Sequence, residues 1–258
     1  MQNLRAMNIK KLFVTKPSGL LNIYITAGYP RLNSLVEALD ALDEAGADII
    51  EIGIPYSDPI SDGPTIQKSN SIAIENGITM DKIFDQIAQV DIKTPMVLMG
   101  YFNSIYQYGV TEFCVRCKEA GVSGLIVPDL PMDEYLNKYT TVFEQNELSN
   151  IFLVTPDTSD ERIQLINKHS TSFIYAVSSS STTGNNKKIE DAQQYLQRLK
   201  NMNLSSAVLV GFNISTKENY QFVCNYTSGA IIGSAFIRHI SDSENLKKDI
   251  SAFVKKIK

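Results

Sequence analysis

Long apolar runs are missing from this sequence. None approaches the ~20 residues needed to span a bilayer. Met1–Lys11 is polar and mildly basic and lacks the apolar centre of a secretory signal, so a cytoplasmic location is expected. Surplus positive charge is missing as well. Twenty-four Lys and Arg face 28 Asp and Glu, a net charge of −4, which leaves no broad basic surface for a nucleic-acid backbone. A local basic pocket for one phosphate stays open. Cysteine is scarce, and Cys114, Cys117 and Cys224 give an odd count with no disulfide framework. Cys114 and Cys117 fall within Thr111–Ala120, which reads as one helix closed by Gly121. With no second pair and no nearby His, their spacing is that of helix neighbours rather than of metal ligands. His169 and His239 form neither a triad nor a metal cluster and are expected at the surface. No serine sits in a G-x-S-x-G elbow, so nucleophilic hydrolase chemistry has no support.

What is present is a repeated unit: a short apolar β-rich run, a loop, then an amphipathic stretch. The candidate strands are Leu21–Ala27, Asp48–Ile54, Pro95–Gly100, Gly124–Val127, Ile151–Thr155, Phe173–Val177, Ala207–Gly211 and Ala230–Gly233. Helical patterns fall at Leu32–Ala45, Lys82–Val90, Asp133–Gln145, Glu161–His169, Ile189–Met202, Lys217–Asn225 and Ser243–Lys256. The strands are near-continuous apolar runs, as parallel strands buried on both faces require. Eight units in 258 residues fit an α/β chain folded as a single (β/α)8 TIM barrel over residues 1–258. An extra N-terminal helix and a short helix after strand 8 are expected to accompany it. An open doubly wound sheet is the alternative, but Ala27-Gly28-Tyr29-Pro30 does not supply its G-x-G-x-x-G fingerprint. Gly46 and Gly121 stand just past helices, where a left-handed cap wants glycine. Active sites of such barrels lie at the C-terminal ends of the strands.

At that end the segment Asp48–Thr65 is unusual. Period-2 alternation puts Ile49, Glu51 and Gly53 on one face and Ile50, Ile52 and Ile54 on the other. If the isoleucines pack against helices, Glu51 points into the barrel. There desolvation raises a carboxyl pKa towards neutrality, as a general acid/base needs. A structural ion pair, or a reversed face, would leave Glu51 with no catalytic part. The loop that follows holds Asp58 and Asp62, and Asp62-Gly63-Pro64 reads equally as a plain turn. It starts on the strand that carries Glu51, which could bring two carboxylates to one cavity.

The second constellation follows the last three strands: Ser178–Asn186, Gly211–Ser215 and Gly233–Ile237. Small residues let backbone N–H groups approach an anion, and the last segment reads as the opening turn of a short helix. Loops after the seventh and eighth strands of a barrel often hold phosphate. Flexible loops, with Ser234 as an ordinary cap, are the plainer alternative.

These residues resemble the tryptophan synthase alpha chain family. The likeness is carried by Glu51-Ile-Gly-Ile-Pro-Tyr-Ser-Asp-Pro with Asp62-Gly-Pro-Thr-Ile-Gln67. It extends through Tyr24–Pro30, Met99–Asn103, Gly124–Pro131, Tyr175 with Thr183-Gly184, and Gly233-Ser234-Ala235. The resemblance implies retro-aldol cleavage of indole-3-glycerol phosphate to indole and glyceraldehyde 3-phosphate. It implies Glu51 as acid/base and Asp62 as acceptor for the indole N–H. Tyr24, Tyr101, Tyr175 and Thr183 would surround the substrate; Gly184, Phe212, Asn213, Gly233 and Ser234 would cradle its phosphate. No metal or organic cofactor is implied in this subunit. The implied partner is a tryptophan synthase beta subunit, carrying pyridoxal phosphate and receiving indole in an α2β2 assembly. The Pro55–Asp62 and Ser178–Ile189 loops would close the site and communicate with that partner.

Two departures stand out: Ser181 and Asn213 replace residues that are usually glycine in the family. Asn tolerates left-handed backbone better than most residues, so Asn213 can keep the shape of the phosphate loop. Ser181 removes a flexible point, and slower closure or signalling is the expectation. A stand-alone lyase needing no beta partner and a non-catalytic regulatory subunit are the competing functional readings.

Overall fold

The computed structural model describes residues 8–59, 62–178 and 189–258. The strands are β1 Leu20–Thr26, β2 Ile49–Gly53, β3 Met96–Met99, β4 Val122–Ile126, β5 Ser149–Ile151 resuming as Leu153–Val154, β6 Phe173–Val177, β7 Ala207–Gly211 and β8 Gly229–Ile232. Each lies within two residues of its expected bounds. All pair in parallel, in the order β5-β4-β3-β2-β1-β8-β7-β6-β5. The last link passes through the interruption in β5, where Tyr175 N–H donates to the Phe152 carbonyl at 2.9 Å. The sheet is therefore a barrel, and the doubly wound alternative is excluded.

Side-chain parity divides the apolar residues into two layers. Leu20, Ile49, Val97, Ile151, Phe173, Leu209 and Ile231 fill the lower barrel interior. Ile23, Ile25, Ile50, Ile52, Leu98, Ile174, Val210 and Ile232 join the layer between strands and helices. Each fully buried Ile or Leu contributes about 1.5–3 kcal/mol, so the outer set strongly fixes which face of each strand points inward. The expected N-terminal helix is present as Ile9–Thr15, with Asn8 accepting from Lys10 N–H as its cap. Its Ile9 and Leu12 belong to the interior cluster, which they plug at the bottom of the barrel.

Helices alternate with the strands at Ser34–Ala45, Met80–Ile87, Val110–Glu119, Asp160–His169, Gln193–Asn201, Lys217–Cys224 and Leu246–Ile257. Gly46 and Gly121 have φ of 83° and 77°, the left-handed values expected just past a helix end. Cys114 and Cys117 are both buried on one helix, and desolvation pushes the Cys114 thiol up to about 12. That is the setting of inert packing residues. His239 is exposed and His169 half-buried.

Some elements differ from the sequence expectation. Helices Pro64–Glu75 and Phe102–Tyr108 carry no clear sequence pattern but occupy the βα connections after β2 and β3. The stretch expected as one helix at Asp133–Gln145 is Met132–Glu134, a wide π turn Tyr135–Tyr139, and Thr140–Gln145. There the Thr140 hydroxyl donates to the carbonyls of Tyr135 and Leu136, competing with the regular ladder.

Asp48 ties the bottom rim together. Its carboxylate accepts from Leu21 N–H at 2.9 Å and from the ammonium groups of Lys16 at 2.6 Å and Lys258 at 2.9 Å. Asp48→Ala is expected to cost about 1–3 kcal/mol in urea unfolding, with ligand binding at the opposite end unchanged. An unchanged unfolding midpoint would remove Asp48 from this role.

Candidate active site

A cavity of about 360 Å³ opens at the C-terminal ends of the strands, within the range for small-molecule sites. Its lining brings together Tyr24, Glu51, Asp62, Tyr175, Phe212, Asn213, Gly233 and Ser234. Nearly every described residue singled out in the sequence thus reaches one space. Tyr101 is not in that lining. It caps the start of Phe102–Tyr108, stacks on Tyr56 at 4.8 Å between ring centroids, and hydrogen-bonds Asp62 through its hydroxyl. Thr183, Gly184 and Ser181 lie outside the described residues.

Glu51 sits in the middle of β2, 1% exposed and on the inward face, as alternation predicts. Among the described residues its side chain makes one hydrogen bond: Asn22 Nδ2 donates to Oε2 at 2.7 Å. No cation pairs with it, so the ion-pair reading does not hold for the described residues. Burial is the main cause that pushes its carboxyl from 4.5 up to about 8; the bond from Asn22 opposes the shift and the charge of Asp62 adds to it. Asp62, half-buried just before helix Pro64–Glu75, is raised by desolvation to about 6, against the lowering hydrogen bond from Tyr101. Near neutral pH the pair therefore separates into a protonated Glu51 and an ionised Asp62. One can donate a proton and the other can accept a hydrogen bond.

Two buried tyrosines flank this pair, and each depends on a glycine of the next strand. A Cβ at Gly53 would overlap the Tyr24 hydroxyl, and one at Gly211 would overlap that of Tyr175. Both rings thus lie across neighbouring strands where only glycine leaves room. Tyr24 Oη is 3.3 Å from Thr26 Oγ1, itself 2.7 Å from Ser69 on helix Pro64–Glu75. Asp129, from the loop after β4, accepts from Phe102 N–H at 2.8 Å and anchors the helix that follows Tyr101.

On the opposite wall, Phe212 and Asn213 have φ of 72° and 58°. The left-handed backbone expected at Asn213 is present, and Phe212 shares it. Backbone turns of this kind form concavities suited to anions. Ser178 closes the turn by donating its hydroxyl to the Phe212 carbonyl at 3.0 Å. The expected short helix is Ser234–His239, entered from Gly233.

The family model for the tryptophan synthase alpha chain matches residues 11–258. The chain belongs to this family. It is 48% identical over 242 residues to the tryptophan synthase alpha chain of Flavobacterium johnsoniae, covering 93% of this chain and 95% of that one. The alpha subunit structure from Legionella pneumophila superposes with a TM-score of 0.86 at 34% identity, over 98% of this chain and 97% of that one. An aminoacrylate-bound tryptophan synthase structure from M. tuberculosis gives 0.84 at 29% identity, over 97% and 98%.

Sequence reasoning missed Asn22 and Arg238. Asn22 reads as one polar residue in an apolar run, although its even spacing from Tyr24 and Thr26 marks the inward face. Arg238 lies one turn into the short helix, lines the cavity, and donates to Thr65 Oγ1 at 3.2 Å. It is the one cationic side chain in the lining among the described residues. No group of His, Cys, Asp and Glu among the described residues could hold a metal ion.

The raised carboxyl of Glu51 has a consequence for stability. Between pH 4.5 and about 8 the folded chain keeps a proton that the unfolded chain releases. Stability contributed at this position is therefore full at low pH and declines as pH rises through that window. Glu51→Gln, which cannot ionise, should match the wild type below about pH 4 and exceed it increasingly above that, by up to about 5 kcal/mol above pH 8. Denaturant unfolding across pH checks this, and a pH-independent difference would contradict it.

Proposed function

We propose that this chain, folded as one domain, cleaves indole-3-glycerol phosphate to indole and glyceraldehyde 3-phosphate. The observation that carries the reading is a fully buried Glu51 that lines one cavity with Asp62, in a chain of this family, where burial pushes both carboxyls upward. Glu51 gives its proton to C3 of the indole ring. Asp62 accepts a hydrogen bond from the ring N–H and offsets the positive charge that develops there. The carbon–carbon bond then breaks as Glu51 takes the proton of the side-chain hydroxyl. The carboxyl ends protonated, as it began, and no external oxidant or reductant enters.

Tyr24, Tyr101, Tyr175 and Thr183 are assigned to the substrate's surroundings. Gly184, Phe212, Asn213, Gly233 and Ser234 are assigned to the phosphate, with Arg238 as the nearby cation. Asn213 in place of glycine fits this role because its backbone is already left-handed. The partner is a tryptophan synthase beta subunit in an α2β2 assembly. Indole passes to it, and the pyridoxal phosphate chemistry belongs there. No helix among the described residues is long and apolar enough to cross a membrane, which fits the cytoplasmic location we assign.

The test is release of glyceraldehyde 3-phosphate from indole-3-glycerol phosphate by the purified chain, with and without a beta subunit. Weak release alone and strong release with the partner is expected, and Glu51→Gln should lower kcat at least about 1,000-fold. High release without the partner would replace the reading by a stand-alone lyase. Partner activation that survives Glu51→Gln, with no cleavage, would replace it by a regulatory subunit.

A further inference from the structure

The one partner of Glu51 among the described residues raises a question that the reaction scheme leaves open. Asn22 is fully buried on β1, and its register neighbours are the apolar Ile49 and Ile231. Its Nδ2 donates to Glu51 Oε2, while its Oδ1 is buried with no hydrogen-bond partner. A buried amide oxygen left unpaired is costly, and Leu would fill the same volume without that cost. The amide therefore does something that an apolar side chain cannot.

An acid/base residue changes what it asks of its neighbour at each half of its cycle. As a carboxylate it only accepts; as a carboxylic acid it also donates. An amide carries a donor and an acceptor on the two ends of one plane. The arrangement shown, Nδ2–H towards Oε2, is the one that suits a carboxylate; turned over, Oδ1 accepts the carboxyl O–H in the same space. Neither an ammonium nor a backbone carbonyl could serve both states.

We infer that Asn22 is a positioning residue that holds Glu51 in both of its protonation states, by donating from Nδ2 to the carboxylate and accepting at Oδ1 from the acid. The carboxyl holds a single proton. While its O–H donates to Oδ1 the acid is held at rest; as the amide turns back to donate from Nδ2, the O–H turns to the cavity and gives that proton to the ligand. The inference rests on the acid/base role proposed for Glu51.

Among the described residues, the other ionisable groups around Glu51 are Tyr24 from β1, Tyr175 from β6 and Asp62 from the loop after β2. Burial holds both phenols above their ordinary range, and Asp62 titrates at about 6, below Glu51. A limb of the pH profile near 8 thus belongs to Glu51. Donation to the charged carboxylate lowers that value and is stronger than acceptance from the neutral acid, so losing both bonds moves the limb upward by the difference.

The experiment measures kcat and KM against pH for the chain in complex with a tryptophan synthase beta subunit. In Asn22→Leu the limb assigned to Glu51 should rise by about one pH unit, the difference between the charge-assisted hydrogen bond lost by the carboxylate and the neutral one lost by the acid. At neutral pH kcat should fall about tenfold or more while KM stays within about threefold. An unmoved limb overturns the inference, even if turnover falls. The wild-type chain supplies a second reading that needs no variant to fold. With selective asparagine labelling, the Asn22 side-chain amide nitrogen resonance should titrate with an apparent pKa near 8. A resonance that stays put across that range overturns the inference. If the wild type fails to cleave the substrate at all, the proposed reaction falls instead, and the resonance still decides whether Asn22 follows Glu51.

Discussion

Burial on both faces of β2 is the constraint from which the rest of the site follows. A parallel barrel strand has one side against the helices and one towards the axis, so neither face is given to bulk water. In Ile49-Ile50-Glu51-Ile52-Gly53 the outer positions are isoleucines, each fully buried. Slipping the strand by one residue would move them inward and push a carboxyl into the helix layer. Several kcal/mol of apolar burial therefore fix where Glu51 points, and its loss of water follows from that. The protonated state at neutral pH is a consequence of where the isoleucines go.

The barrel divides its two ends between different tasks. Below, Ile9 and Leu12 plug the interior and Asp48 gathers a backbone N–H and two ammonium groups around the rim. Above, aliphatic side chains give way to tyrosines and glycines. Tyr24 lies across Gly53 and Tyr175 across Gly211, so space is made by removing a Cβ from the next strand. The loops are fastened to one another at the same level: Tyr101 to Asp62, Asp129 to the backbone of Phe102, Ser178 to the carbonyl of Phe212. An ionisable pair held this way keeps its geometry while its protons move, which is what acid/base chemistry at a carbon centre requires.

Much of this was legible in the residues. The strands announced themselves as short β-branched runs, and period-2 alternation placed Glu51 inward without any structural information. Left-handed backbone at Asn213 followed from the residue type that had replaced glycine. Other features carried no local signal. Helix Pro64–Glu75 is built largely from Thr, Ser, Asn and Ile, poor helix formers whose burial at Ile66 and Ala73 comes only with the finished barrel. The wide turn at Tyr135–Tyr139 depends on where the Thr140 hydroxyl donates. Asn22 could be placed on the inward face by parity, but its meeting with Glu51 is a contact between strands. Arg238 reaches the cavity only because the short helix folds back over the barrel mouth.

The account stands on the protonation state of one side chain. The most direct measurement is titration of the Glu51 carboxyl itself in the ligand-free chain. It can be followed by difference infrared spectroscopy, with the band assigned by its loss in Glu51→Gln. The account predicts a protonated carboxyl at pH 7 with a midpoint near 8. A midpoint near the ordinary 4.5 would contradict it, because Glu51 would then be a carboxylate with no proton to give.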